Sequence, residues 1–170
     1  MKRAHFGLIT VGTMALVTLV TLTSGTERAY AADDKAAAIR KDRQQIAGTW
    51  RIISLEVKGN KADDEGVRKM TVVNGADGTW SLRSEGKEIG RGTTSIDPTQ
   101  KPKTIDIKSS TGEDQEQTVQ GIYELGKKTR KLCYAPVERP RPTEFTSTAE
   151  NEHILVIFER VEPDPKRPAD

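Results

Sequence analysis

The chain has few of the residues on which common metal and disulfide sites depend. Its 170 residues include one cysteine and two histidines, so neither an internal disulfide nor a zinc site with several Cys or His ligands is expected. Apolar residues make up only 34%, which excludes a protein with many membrane spans. These shortages favour one globular domain with no metal, cofactor or disulfide.

The one long apolar stretch lies at the N-terminus. Lys2 and Arg3 precede an uncharged run over residues 6–22, and Ala29-Tyr30-Ala31 then places small residues before a cleavage site after Ala31. This order is typical of a secretory signal peptide over residues 1–31 and predicts a periplasmic or extracellular protein. A retained membrane anchor is the alternative. Because the run is short for a bilayer span and the cleavage site favours removal, we expect no stable membrane insertion.

Neither sign of charge is in clear excess. The chain has 27 Lys and Arg against 25 Asp and Glu, and the predicted signal peptide contains three of the basic residues and one of the acidic ones. The remaining chain is therefore formally neutral. A neutral surface does not attract phosphate polymers, so no nucleic-acid partner is expected.

After the signal peptide, the hydrophobic period changes from that of a helix to that of strands. Residues 32–47 are expected to form an N-terminal helical segment, within which the helix itself covers 33–45. Acidic residues can cap its start, and the three alanines that follow favour a helix. Residues 48–162 alternate with period two between frequent turn signals. Residues 163–170 contain three prolines and predict a disordered tail. The predicted strands are 49–57, 69–73, 79–83, 88–96, 104–108, 117–124, 130–135 and 154–161.

Eight short strands joined by tight turns predict an all-β fold. The expected architecture is an eight-stranded antiparallel up-and-down barrel with a short N-terminal helix, and a two-sheet sandwich is the alternative. The first strand carries apolar residues on both faces, with Ile52 on one and Ile53 on the other. Either a bulge switches the alternation or one barrel face is covered from outside, for which the helix around Ile39 is the expected cover.

The start of the first strand carries a recognisable motif. Gly48-Thr49-Trp50 resembles the Gly-x-Trp signature of lipocalins and wider calycins. In that group the Trp closes one barrel end and an Arg of the last strand stacks on it, which implies barrel closure by Trp50 and Arg160. The contact would be a cation–π interaction of about 0.5–2 kcal/mol.

A closer resemblance covers nearly the whole mature chain. It is similar to an uncharacterised lipocalin-like domain family abundant in planctomycete bacteria, which is often exported and has no established activity. The resemblance therefore implies fold and export but no catalytic residue. The matching segments are residues 48–51, 54–57, 97–98, 101–106, 121–125, 131–136 and 141–145.

Several side chains are candidates for a site, and each also has a structural interpretation. Ligand-binding candidates are Trp80, Leu82, Tyr123 and Tyr134, within a wider apolar set that includes Ile122 and Leu132 and that equally suits an ordinary core. Cys133 has apolar neighbours and is expected to be a buried, inert thiol. Glu113, Asp114, Glu116 and Glu124, like residues 63–65, are expected to be solvated turn charges and not a calcium site. The stretch Arg139-Pro140-Arg141-Pro142 predicts a stiff connection, with docking of an acidic partner or a polysaccharide as the alternative.

Two functions remain open from the sequence. The first is an exported lipocalin-like domain that binds a small apolar molecule inside the barrel. The alternative is a solid-barrel protein-interaction module of the cell envelope, for example a protease-inhibitor-like barrel that inserts its mature N-terminus into an envelope protein. No catalytic activity is expected, because the sequence has no Ser–His–Asp order, phosphate loop or supported carboxylate pair.

Overall fold

The described part of the chain contains two helices and nine strands. The structure is a computed structural model that describes residues 24–111 and 117–162, with side chains from residue 32 onward. Residues 1–23 of the predicted signal peptide, the carboxylates at 113, 114 and 116, and the predicted tail 163–170 lie outside the described residues. The elements are α1 Ser24–Ile46, β1 Gly48–Val57, β2 Asn60–Lys61, α2 Asp64–Arg68, β3 Met70–Asn74, β4 Thr79–Ser84, β5 Lys87–Asp97, β6 Lys103–Ser109, β7 Thr118–Leu125, β8 Thr129–Tyr134 and β9 Ile154–Arg160.

The strands form one antiparallel sheet that closes on itself. From β3 to β9 each strand pairs with the next, and β1 pairs with both β3 and β9. The two-residue strand β2 pairs only with the far end of β1, so eight strands form the wall. The predicted all-β, eight-stranded antiparallel up-and-down barrel of lipocalin-like form is therefore confirmed, and the sandwich is excluded. Closure pairs the edges that an open meander would leave exposed.

A bulge resolves the alternation of β1. The register between β1 and β9 shifts between Ile52 and Ser54, which leaves Ile53 as the extra residue. Because one added residue reverses the alternation, Ile52 and Leu55 both face the barrel interior. Of the two solutions predicted for this strand, the bulge is the one found.

The helix α1 crosses one end of the barrel, so the expectation that it covers an outer face is wrong. Lys35 bonds Asp97 at the end of β5, and Gln45 donates to the carbonyl of Gly126 after β7. These contacts hold the helix over strand ends, where β1 begins directly after it. The helix also begins at Ser24, earlier than predicted, because residues 26–47 contain no Gly or Pro to stop it.

The connection between β8 and β9, residues 135–153, instead covers the part of the outer face formed by β6, β7 and β8. Beneath it lie Ile122 and Cys133, which have almost no exposed surface although they point away from the interior. Arg141 fastens this loop by donating to the carbonyls of Ile105 and Gly121 at 2.9 and 2.6 Å, and to Asp106. The stiff connection predicted from the Pro and Arg residues is therefore the lid of a second, smaller apolar core.

The expected polar connection at 63–66 contains the short helix α2. The Asp63 side chain accepts from the backbone N–H of Gly66 at 2.8 Å and so caps the helix, and Val67 is buried against the core. A single turn is too short to show a helical period, so the alternation rule could not detect it.

Candidate functional site: a cavity inside the barrel

The barrel interior is hollow. A cavity of about 390 Å³ runs from the end capped by α1 to the opposite end, where the exposed Gln117 forms part of its rim. Its walls are mostly aliphatic and aromatic, with a few polar side chains. The lining residues include Ile52, Leu55, Val72, Trp80, Leu82, Ile107, Val119, Tyr123, Arg130, Leu132, Tyr134, Val156 and Phe158.

All four predicted ligand-binding residues line this cavity. Trp80 and Leu82 extend from β4, Tyr123 from β7 and Tyr134 from β8. The indole of Trp80 lies against Gly92 of β5, where an added Cβ would approach the ring to 2.8 Å, so glycine is what leaves room for it. Ile122, from the wider predicted set, does not line the cavity because it faces the outer core.

Trp50 and Arg160 lie at the capped end of the barrel. The guanidinium carbon of Arg160 is 4.3 Å from the centre of the Trp50 ring, so the predicted stacking is confirmed. Both side chains also bind the C-terminal end of α1: the indole N–H donates to the carbonyl of Ile46 at 2.7 Å, and Arg160 donates to those of Gln45 and Ala47. The pair therefore satisfies helix carbonyls that would otherwise lack partners, and fixes α1 to the barrel.

A second buried arginine, Arg130, lines the same end of the cavity and was missed by the sequence analysis. Only 6% of its surface is exposed, and its guanidinium carbon lies 4.2 Å from the ring centre of Phe158 and 5.2 Å from that of Trp50. Nη1 donates to Asn74 at 3.3 Å, whereas Nε has no acceptor. Arg130, Leu132 and Tyr134 are every second residue of β8 and so share one face, a pattern from which the inward position of Arg130 could have been predicted.

The electrostatic environment of Arg130 is that of a cation without a counterion. No carboxylate in the described part of the chain forms an ion pair with it. Burial, and secondarily the nearby charge of Arg160, lower the pKa of Arg130 to about 9, which still leaves it charged at neutral pH.

A different polar group anchors α1 beside the cavity. Asp42 is buried and accepts from the Tyr123 hydroxyl and from the Lys103 ammonium, both at 2.7 Å. Burial first, and then the hydrogen bond to Asp42, raise the pKa of the Tyr123 hydroxyl well above its usual range. Arg43 on the next helix position donates to the Thr94 side chain at 2.6 Å and to the Thr94 carbonyl. These neighbouring residues fix the helix over the barrel end.

Cys133 is another candidate that the sequence offered. Its thiol donates to the carbonyl of Thr146 at 3.4 Å, and burial raises its pKa, so the expectation that Cys133 is buried is confirmed. Among residues 24–111 and 117–162, no group of three or more His, Cys, Asp or Glu side chains is placed to hold a metal ion.

Fold and cavity together define a helix-capped antiparallel β-barrel with a hollow interior. No family model, no curated protein and no solved structure matches the chain. Within the described residues, no helix is both long and apolar enough to cross a membrane.

Proposed function

We propose that the chain is an exported lipocalin-like domain, of the uncharacterised family that its motifs resemble, and that it binds a small apolar molecule inside the barrel. The observation that carries this proposal is the interior cavity of about 390 Å³. Cavities that bind small molecules typically measure about 300–1,000 Å³ and combine apolar walls with a few polar groups, as this one does. A barrel fold alone would not support a function.

The solid-barrel alternative has less support. A protein-interaction module that needs no ligand would be expected to fill its interior with side chains, as cores generally do. A protease-inhibitor-like mode would also need a free N-terminal segment, whereas Lys35, Arg43 and Gln45 of α1 bond the barrel end. Insertion into a partner would have to break these contacts.

Binding of a neutral apolar fluorophore tests the proposal. Titration of the purified protein with N-phenyl-1-naphthylamine should give saturable fluorescence enhancement. Leu82→Trp places a larger ring in the cavity and should weaken binding about tenfold or more, because overpacked interiors adapt poorly. Arg83→Trp is the matched control, since Arg83 is the next residue and is exposed on the opposite face. Folding of both variants is checked by circular dichroism. Absence of saturable binding, or equal weakening by two folded variants, contradicts the proposal.

Export is tested separately. Expression of the full chain in a bacterial host should yield protein in the periplasm or medium whose N-terminal sequence begins at Ala32. Replacing Ala29 and Ala31 with a bulky residue such as Leu should leave an uncleaved form. Cytoplasmic protein that still begins at Met1 would show that residues 1–31 are not a signal peptide.

A further inference from the structure

The capped end of the cavity carries more positive charge than its surroundings neutralise. Arg130 and Arg160 both contact the Trp50 ring, and neither forms an ion pair with a carboxylate in the described residues. The two arginines differ in their other partners. Among the residues that the structure describes, Arg160 donates to the carbonyls of Gln45 and Ala47, whereas Arg130 donates only to Asn74 and its Nε has no acceptor.

A buried cation in this state is costly, because its lost hydration is only partly replaced. The faces of Trp50 and Phe158 offset some of that cost, but aromatic rings accept no N–H donors in the guanidinium plane. Another cation at this barrel end has a counterion: Lys103, whose side chain is partly exposed, pairs with the buried Asp42. Arg130 is therefore a buried cation on the cavity wall whose charge no carboxylate of the described residues neutralises.

The rest of the cavity favours an apolar molecule. Beyond Arg130 the walls are formed by aliphatic side chains such as Leu132, Val72 and Ile107, up to the polar rim at Thr111 and Gln117. A molecule that satisfies both regions has one charged end and an uncharged body. An ion carrying several charges would place some of them against aliphatic wall, which is unfavourable.

We propose that the cavity binds a small amphiphile with a single carboxylate head, which pairs with Arg130 at the capped end while its apolar tail lies along the barrel wall. This inference rests on the proposed function, because it assumes that the cavity holds a ligand. A carboxylate suits the site because its two oxygens match the planar donor geometry of a guanidinium. Asn74 holds Nη1 and the two rings flank the group, so its orientation is fixed before binding.

Two ligands of equal chain length test the charge requirement in the unmodified protein. Decanoate and 1-decanol are each used to displace N-phenyl-1-naphthylamine at neutral pH. The proposal expects both to compete, with decanoate about tenfold tighter or more, as charge-assisted hydrogen bonds to a buried guanidinium require. Equal affinities, or tighter binding of 1-decanol, overturn the carboxylate proposal and leave ligand binding itself intact. If the fluorophore binds saturably and neither ligand displaces it, the carboxylate proposal fails, whereas the binding proposal stands or falls by the Leu82→Trp comparison.

A pair of arginine variants then assigns the preference to one side chain. Arg130→Met keeps most of the aliphatic length but removes the charge, and should abolish the preference for decanoate while 1-decanol binds as before. Arg160→Met is the matched control, because Arg160 also stacks on Trp50 but does not line the cavity. It should keep the preference. The assignment to Arg130 is overturned if the preference for decanoate survives in folded Arg130→Met, or if both variants lose it equally. If Arg130→Met does not fold, the comparison of the two ligands in the unmodified protein still tests the carboxylate proposal.

Discussion

Replacement of Trp50 by phenylalanine should be among the most damaging conservative changes in this barrel. The indole is fully buried, and its N–H donates to the Ile46 carbonyl at 2.7 Å. A phenyl ring leaves that carbonyl unsatisfied, at about 1–3 kcal/mol, and leaves a void where the second ring lay. It also weakens the contacts with Arg130 and Arg160. We expect a loss of about 3 kcal/mol in the free energy of unfolding, or about 6–12 °C in Tm.

The second tryptophan supplies a matched control. Trp80 lies on the cavity wall, is only partly buried, and its N–H donates to Thr93 at a longer 3.3 Å. Trp80→Phe should therefore lower the free energy of unfolding by about 1 kcal/mol or less. Urea unfolding followed by far-ultraviolet circular dichroism measures both variants, and each retains one tryptophan. If Trp50→Phe is no more destabilising than Trp80→Phe, the assigned role of Trp50 in joining helix and barrel is wrong.

Three further predictions concern the wall, the outer loop and a buried hydroxyl. Gly92→Ala should lower the free energy of unfolding by about 2–3 kcal/mol, because the added Cβ would lie 1.9 Å from a backbone carbonyl oxygen of β6. Gly86→Ala is the control: its Cβ meets no atom within 4 Å, so only the positive φ should cost stability, about 1 kcal/mol. Similar melting temperatures for the two variants would contradict this prediction. Arg141→Ala should release the outer loop and speed the reaction of Cys133 with a thiol reagent about tenfold, while an unchanged rate would show that Arg141 does not hold the loop. Folding raises the pKa of Tyr123, so this residue's contribution to stability should be complete below about pH 10 and should be lost as the pH rises above it. In Tyr123→Phe, the free energy of unfolding, measured by urea titration at several pH values, should decline less steeply. An identical decline in the variant would exclude Tyr123 as its source.

The wall of the barrel was largely predictable from sequence, because alternation and turn residues are local signals. The predicted strands agree with β1 and β3–β9 to within two residues at each end, and the bulge was one of the two alternatives that the apolar residues on both faces of β1 left open. The stacking of Arg160 on Trp50 could be predicted only through the resemblance, since nothing local links residues in the first and last strands.

What could not be predicted depends on contacts between distant segments. The position of α1 over the barrel end is fixed by Asp42, Arg43 and Gln45, whose partners lie far along the chain. The outer apolar core beneath residues 135–153 was not predicted, because a proline-rich connection has no hydrophobic periodicity that would indicate a buried face. Arg130 was not predicted because an arginine in a strand normally faces solvent, although its alternation with Leu132 and Tyr134 indicates an inward position.

The join between the first and last strands has a consequence for synthesis of the chain. Arg160 donates to the carbonyl of Ala47, 113 residues earlier, so the barrel cannot close until β9 has left the ribosome. Non-local pairing of this kind makes folding slow, and until it happens β1 and β9 keep unpaired edges that could associate with other chains. A chain that ends before β9 should therefore accumulate as aggregates.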